Sequence, residues 1–308
     1  MNTIYIVIAF LAGCGLPLQA AANARLGKAV ASPFAAATLQ LFVATVLLFI
    51  AVAAGGALPA LGRLGQAHWW QLLGGLASAM FVVAGIVFIP RIGAVTTIGL
   101  FIAGQAFTSL LLDGAGLLGV VQRAPGPFTW LGAACVAAGI LLIVRGQRPA
   151  AGAPPRRIKL AWVAAAALCG GMLPMQGALN AAVARTVGAP LVVSLASFAV
   201  ATAGMAIVLA LVLALNRNER PTLGGLCAVP WWAWLGGPVG VCYVTTVFLA
   251  LPVIGAAATV GFTIAGQQVV AILTDRFGLF GLPKSAVSGV RLAGALVLLA
   301  GVVSIKLP

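Results

Sequence analysis

GCGLPLQAAANA at residues 13–24 returns as GGMLPMQGALNA at residues 170–181, an offset of 157. Pro17 then corresponds to Pro174, Gln19 to Gln176 and Asn23 to Asn180. The same offset carries Pro33 to Pro190. After the second apolar run it becomes 162, because the later half holds five extra residues around Arg217-Asn218-Glu219-Arg220-Pro221. It then stays fixed: HWWQLLGG at 68–75 answers PWWAWLGG at 230–237, and Ala103-Gly104-Gln105 answers Ala265-Gly266-Gln267. Asp113 answers Asp275, and Gly139 answers Gly301. So many matches with a single gap mark two copies of one unit.

Composition fixes the solvent of that unit. Of the 308 residues 63% are hydrophobic and 6% charged, where a soluble domain carries about 25% charged residues. The chain cannot cover a water-facing surface and is expected to be an all-α integral membrane protein. A bilayer core of about 30 Å takes roughly 20 apolar residues per helix. Ten such runs occur, at about 4–24, 34–55, 69–89, 94–113, 128–145, 160–182, 190–214, 231–250, 256–275 and 289–306. Pro90-Arg91-Ile92-Gly93 and Pro252-Val253-Ile254-Gly255 predict tight breaks between neighbouring helices. The division expected is a first five-span repeat over 1–148, a linker over 149–158 and a second repeat over 159–308, with no extramembrane domain.

Five is odd, so two joined copies must cross the membrane in opposite senses. This predicts ten transmembrane helices as two inverted five-helix repeats, related by a pseudo-two-fold axis in the membrane plane. The net charge of +14 would suggest nucleic acid in a soluble protein, but here the basic residues stand singly between apolar runs. They read as topogenic charge, and no nucleic-acid partner is expected. Thirteen lie in the odd-numbered loops and four (Arg63, Arg123, Arg185 and Lys306) on the other side. The positive-inside rule places the linker in the cytoplasm and both termini outside. Leu11-Ala12-Gly13-Cys14 resembles a lipoprotein cleavage box, but no basic residue precedes it and its counterpart lies mid-chain, so cleavage is not expected.

Polar residues inside spans are costly and therefore informative. Gln19 and Asn23, four apart, share a helical face, and Gln176 and Asn180 repeat it. Inversion would bring both faces to one interface and line a cavity. Against this stands simple interhelical bonding of the amides. Pro17 and Pro174 are read as helix breaks that free carbonyls for a ligand. Gln105 and Gln267, each after Ala-Gly, fit close packing and binding equally. Asp113 and Asp275 end their spans; they are candidates for proton or sodium coupling, although closing a helix end or pairing with a base such as Arg276 explains them better. Thr259 and Thr263 are expected to bond back to their own helix. The five cysteines form no C-x-x-C pair and read as small apolar residues. With one histidine, His68, and no Gly-rich phosphate loop, no metal site, cofactor, catalytic residue or ATPase activity is expected.

Two halves that each open with G-x-x-L-P-x-Q-x-x-x-N and later carry G-Q…D…G resemble the drug/metabolite transporter superfamily, and within it the YdcZ-like branch. The resemblance covers nearly the whole chain. It implies a ten-helix bundle in a bacterial cytoplasmic membrane, with spans 1–4 and 6–9 around a central cavity and spans 5 and 10 as packing helices. It also implies secondary transport of a small organic solute by alternating access. One departure is specific: small multidrug resistance antiporters of this superfamily use a glutamate in the first span, whereas here the most polar candidates are Gln19 and Gln176. Drug-cation/proton exchange by that route therefore fits less well than a neutral or zwitterionic solute. The rival readings are a non-transporting scaffold or assembly factor, and a channel.

Overall fold

A computed structural model describes residues 2–92, 94–123, 126–146, 160–215, 220–281 and 288–306. Ten long helices occur among them: α1 (Asn2–Ala29), α2 (Pro33–Ala54), α3 (Gly74–Ile92), α4 (Ala94–Ala115), α5 (Pro127–Gly146), α6 (Leu160–Val187), α7 (Pro190–Leu215), α8 (Gly236–Ile254), α9 (Ala256–Phe277) and α10 (Gly289–Lys306). Every apolar run found in the sequence is thus a helix, and the described residues contain no strand. Eight are long and apolar enough to cross a membrane; α5 and α10 supply the shorter apolar stretches Pro127–Ile143 and Gly289–Gly301. The expected linker at 149–158 lies outside the described residues.

Local chemistry sets the ends. Ser32 caps α2, its hydroxyl accepting from the Ala35 amide at 3.1 Å, and Pro33 opens the helix where its missing N–H costs nothing. Between α8 and α9 the break falls at Gly255, whose φ of 91° a side chain would resist. Pro252 sits inside α8 instead. Pro17 and Pro174 also lie inside continuous helices, of 28 residues each, so the expected breaks are corrected to local losses of one hydrogen bond. Lacking an N–H, each leaves the carbonyl four residues earlier, on Gly13 and Gly170, without its helical donor.

Those glycines show how the halves meet. A Cβ on Gly13 would collide with the Thr263 carbonyl, and one on Gly170 with the Phe101 carbonyl. Thr263 and Phe101 are themselves repeat mates. The reciprocity holds again for Gly104 against Ala167 and Gly266 against Phe10. Small residues here let helix backbones touch, the packing mode available where lipid removes the hydrophobic drive. So α1 packs on α9 as α6 packs on α4, and α2 packs on α7. There Thr45 and Thr202, also mates, share a hydrogen bond of 2.9 Å. α5 and α10 form the most extensive pair, in contact at Gly139 and Gly301. The central cluster around Leu41, Leu173, Val193, Phe198, Val247 and Phe248 joins both halves.

Candidate functional site

The two amide faces reach the centre in different states. Gln176 and Asn180 on α6 are buried, at 2% and 3% exposure. Ser78 of α3 donates its hydroxyl to Gln176 Oε1 at 2.7 Å, and Gln176 Nε2 donates to Ser197 Oγ of α7 at 3.2 Å. Asn180 Nδ2 donates to the same hydroxyl at 3.0 Å. Interhelical bonding, the plainer sequence reading, therefore accounts for this face.

Gln19 and Asn23 on α1 have no such partners among the described residues. The repeat explains why. The mate of Ser78 is Gly240, and a Cβ there would lie 2.8 Å from Gln19 Nε2, where Ser78 bonds Gln176 on the other side. The mate of Ser197 is Gln40 of α2, 4% exposed. Gln40 Nε2 donates to the Ala233 carbonyl at 3.1 Å, which leaves Gln40 Oε1 buried with no donor among the described residues. Asn23 Oδ1 is likewise buried and, among the described residues, unpartnered. Gln40, Ser78 and Ser197 were all missed in the sequence; their signal was simply a polar side chain inside an apolar span.

Gln105 is buried and turns its Nε2 back toward the Phe101 carbonyl of its own helix at 3.4 Å. Gln267 is half-buried and makes no side-chain hydrogen bond among the described residues. Neither joins the faces above. Thr259 and Thr263 bond back to Gly255 and Val260 carbonyls at 2.6 and 2.8 Å. A crevice of about 390 Å³ opens between α4, α5 and α9, lined by Ala103, Phe107, Leu110, Val136, Ile140 and Gly261 among others. It is apolar, and none of the six amides borders it.

Both carboxylates have partners. Asp113 accepts from the Ala256 and Ala257 amides, each at 2.7 Å, so the end of α4 caps the start of α9 in the other half. Negative charge belongs there, because the first turn of a helix presents unpaired N–H groups. Arg123 donates to the Val253 carbonyl at 3.3 Å, covering the end of α8 across the same break. Asp275 pairs with Arg291, not with Arg276. All five cysteines are free, and no group of three His, Cys, Asp or Glu among the described residues is placed to hold a metal.

Three comparisons bear on this arrangement. Residues 4–142 and 161–304 match the family described as "Putative inner membrane exporter, YdcZ". The inner membrane protein YdcZ of Escherichia coli (strain K12) is 32% identical over 144 residues, which take up 46% of this chain and 95% of that protein. A solved crystal structure shares the fold at 18% identity and a TM-score of 0.69, covering 98% of this chain and 95% of the other.

Proposed function

This multi-pass membrane chain belongs to the YdcZ family of the drug/metabolite transporter superfamily, and on that premise we propose that it is a secondary transporter of a small organic solute. In this reading all ten helices cross a bacterial cytoplasmic (inner) membrane as two inverted five-helix repeats. Both termini are outside and the linker is cytoplasmic. Transport proceeds by alternating access, one half rocking against the other about the pseudo-two-fold axis.

The observation that carries it is the reciprocity of contact. Thr45 meets its own mate Thr202, and the backbone contacts at Gly13, Gly75 and Gly104 are mirrored at Gly170, Gly237 and Gly266. Two like units facing each other across an axis have two equivalent ways to tilt, which alternating access needs. The amide faces support the same reading. One is cross-linked through Ser78 and Ser197 and the other is not, as expected of a bundle closed on one side and able to open on the other. Asp113 is assigned to capping α9 and Asp275 to pairing Arg291, so proton or sodium coupling through them is not part of the proposal. No catalysis is proposed.

Purified protein in proteoliposomes tests it. Saturable, solute-specific counterflow is expected, reduced by Gln19→Leu in protein that still inserts. Vesicles that move no compound of a broad metabolite panel would point to a scaffold, and non-saturating conductance to a channel; either result overturns the proposal. Single cysteines at positions 2 and 152, placed in a cysteine-free background, should label from opposite sides of the membrane. Labelling from one side would remove the inversion.

A further inference from the structure

Asn23 Oδ1 and Gln40 Oε1 are two buried carbonyl oxygens with no donor among the described residues, and their repeat mates, Asn180 and Ser197, bond each other directly. Buried polar groups are nearly always partnered, so two orphans of one kind on two helices packed together call for an explanation. Both belong to the junction of α1, α2 and the turn Trp231–Leu235. Asn23 stands one turn before Leu26 and Gln40 one turn after Ala36, and these pack with Ala233, Trp232 and Trp234. Gln40 cannot turn its amide to relieve the shortage, because its Nε2 holds the Ala233 carbonyl. Gln19, one turn from Asn23 on the same face of α1, brings an uncommitted Nε2.

We infer that Asn23, Gln40 and Gln19 form an acceptor-rich binding site, confined to the first half, for an uncharged solute whose N–H₂ group donates to the two oxygens and whose adjacent carbonyl accepts from Gln19. A primary carboxamide has this pattern. An ammonium group would also donate, but no acid among the described residues borders the site. Asp113 is committed to α9 and Asp275 to Arg291, and an unpaired charge at this depth is costly. The inference deepens the transport reading and rests on it for the site lying on the solute's path. Binding is measured separately from flux, so the two fail independently.

The experiment titrates full-length protein in detergent micelles with butyramide, butylammonium and butyrate, reading binding by saturation-transfer NMR. Butyramide should bind saturably and ahead of both charged analogues. Gln40→Leu should weaken it about tenfold, the loss of one buried hydrogen bond to ligand. Gln40→Ser copies the hydroxyl of the second half and gives Asn23 a donor, so it should weaken butyramide binding while leaving the fold intact, which guards against a Gln40→Leu protein that does not fold. Ser197→Ala, in the other half, should leave binding unchanged. Equal binding of all three probes, preference for butyrate or butylammonium, sensitivity to Ser197→Ala alone, or no butyramide binding to wild-type protein would overturn the assignment. In that last case the two oxygens hold structural water only. Flux lost with butyramide binding intact would fault the transport reading and spare this one.

Discussion

Gln176 and Gln19 occupy the same place in two copies of one unit, yet one is held by two hydroxyls and the other by none. The difference does not lie in the glutamines, which are identical, but in what the facing helices offer them: Ser78 against Gly240, and Ser197 against Gln40. A repeat therefore conserves backbone placement while letting each half decide which polar atoms are satisfied. Structural bonding has settled on the second half, and unspent hydrogen-bonding capacity on the first.

The sharpest way to break this comparison is Ser197→Ala, which orphans two buried donors, Gln176 Nε2 and Asn180 Nδ2, at once. It should lower unfolding stability in mixed detergent by about 2 kcal/mol, near the upper end of what such bonds contribute in membranes. Gln40→Leu at the equivalent position should change stability by less than about 1 kcal/mol, since it loses one bond to Ala233 but removes an orphan oxygen. If both cost the same, the asymmetry has no energetic content. Next comes the pair of acids. Asp113→Asn should cost roughly 1–2 kcal/mol through the weakened cap of α9. Asp275→Asn, which leaves the buried Arg291 guanidinium without its carboxylate although the acid itself is one-third open, should cost a similar amount, about 1–2 kcal/mol. The smallest effect is a gain: Gly240→Ser, which gives Gln19 the hydroxyl its mate has, should raise stability by about 0.5 kcal/mol and slow any transport that needs Gln19 free. A loss of stability there would mean that the new Cβ cannot be accommodated beside Gln19.

Helix positions were legible in the sequence because hydrophobic runs of this length have one low-energy form in a bilayer, with every backbone group bonded internally. The reciprocal contact of the halves was legible in outline from Gly104 and Gly266, or Gly139 and Gly301, matched at fixed spacing. The site was legible only where the halves agree. Gln40, Ser78 and Ser197 have mates of different chemistry, so matching passed over them, and they decide which amides are spent. Pro17 and Pro174 misled in the other direction: proline predicts a break, but each helix runs on through it at the loss of one backbone bond. Asp113 could be recognised as a helix-closing residue, but that it closes a helix of the opposite half is long-range information that spacing does not hold.

That cap has a consequence for anything built from one unit alone. The first half carries a carboxylate at the end of its fourth helix, and in the arrangement seen here it holds amides of the second half, whereas Asp275 stays within its own half. Expressed separately, the first half would have an ownerless acid and the second a bare helix start, each the complement of the other's deficiency. Mixed together, the two fragments should therefore find each other rather than a second copy of themselves.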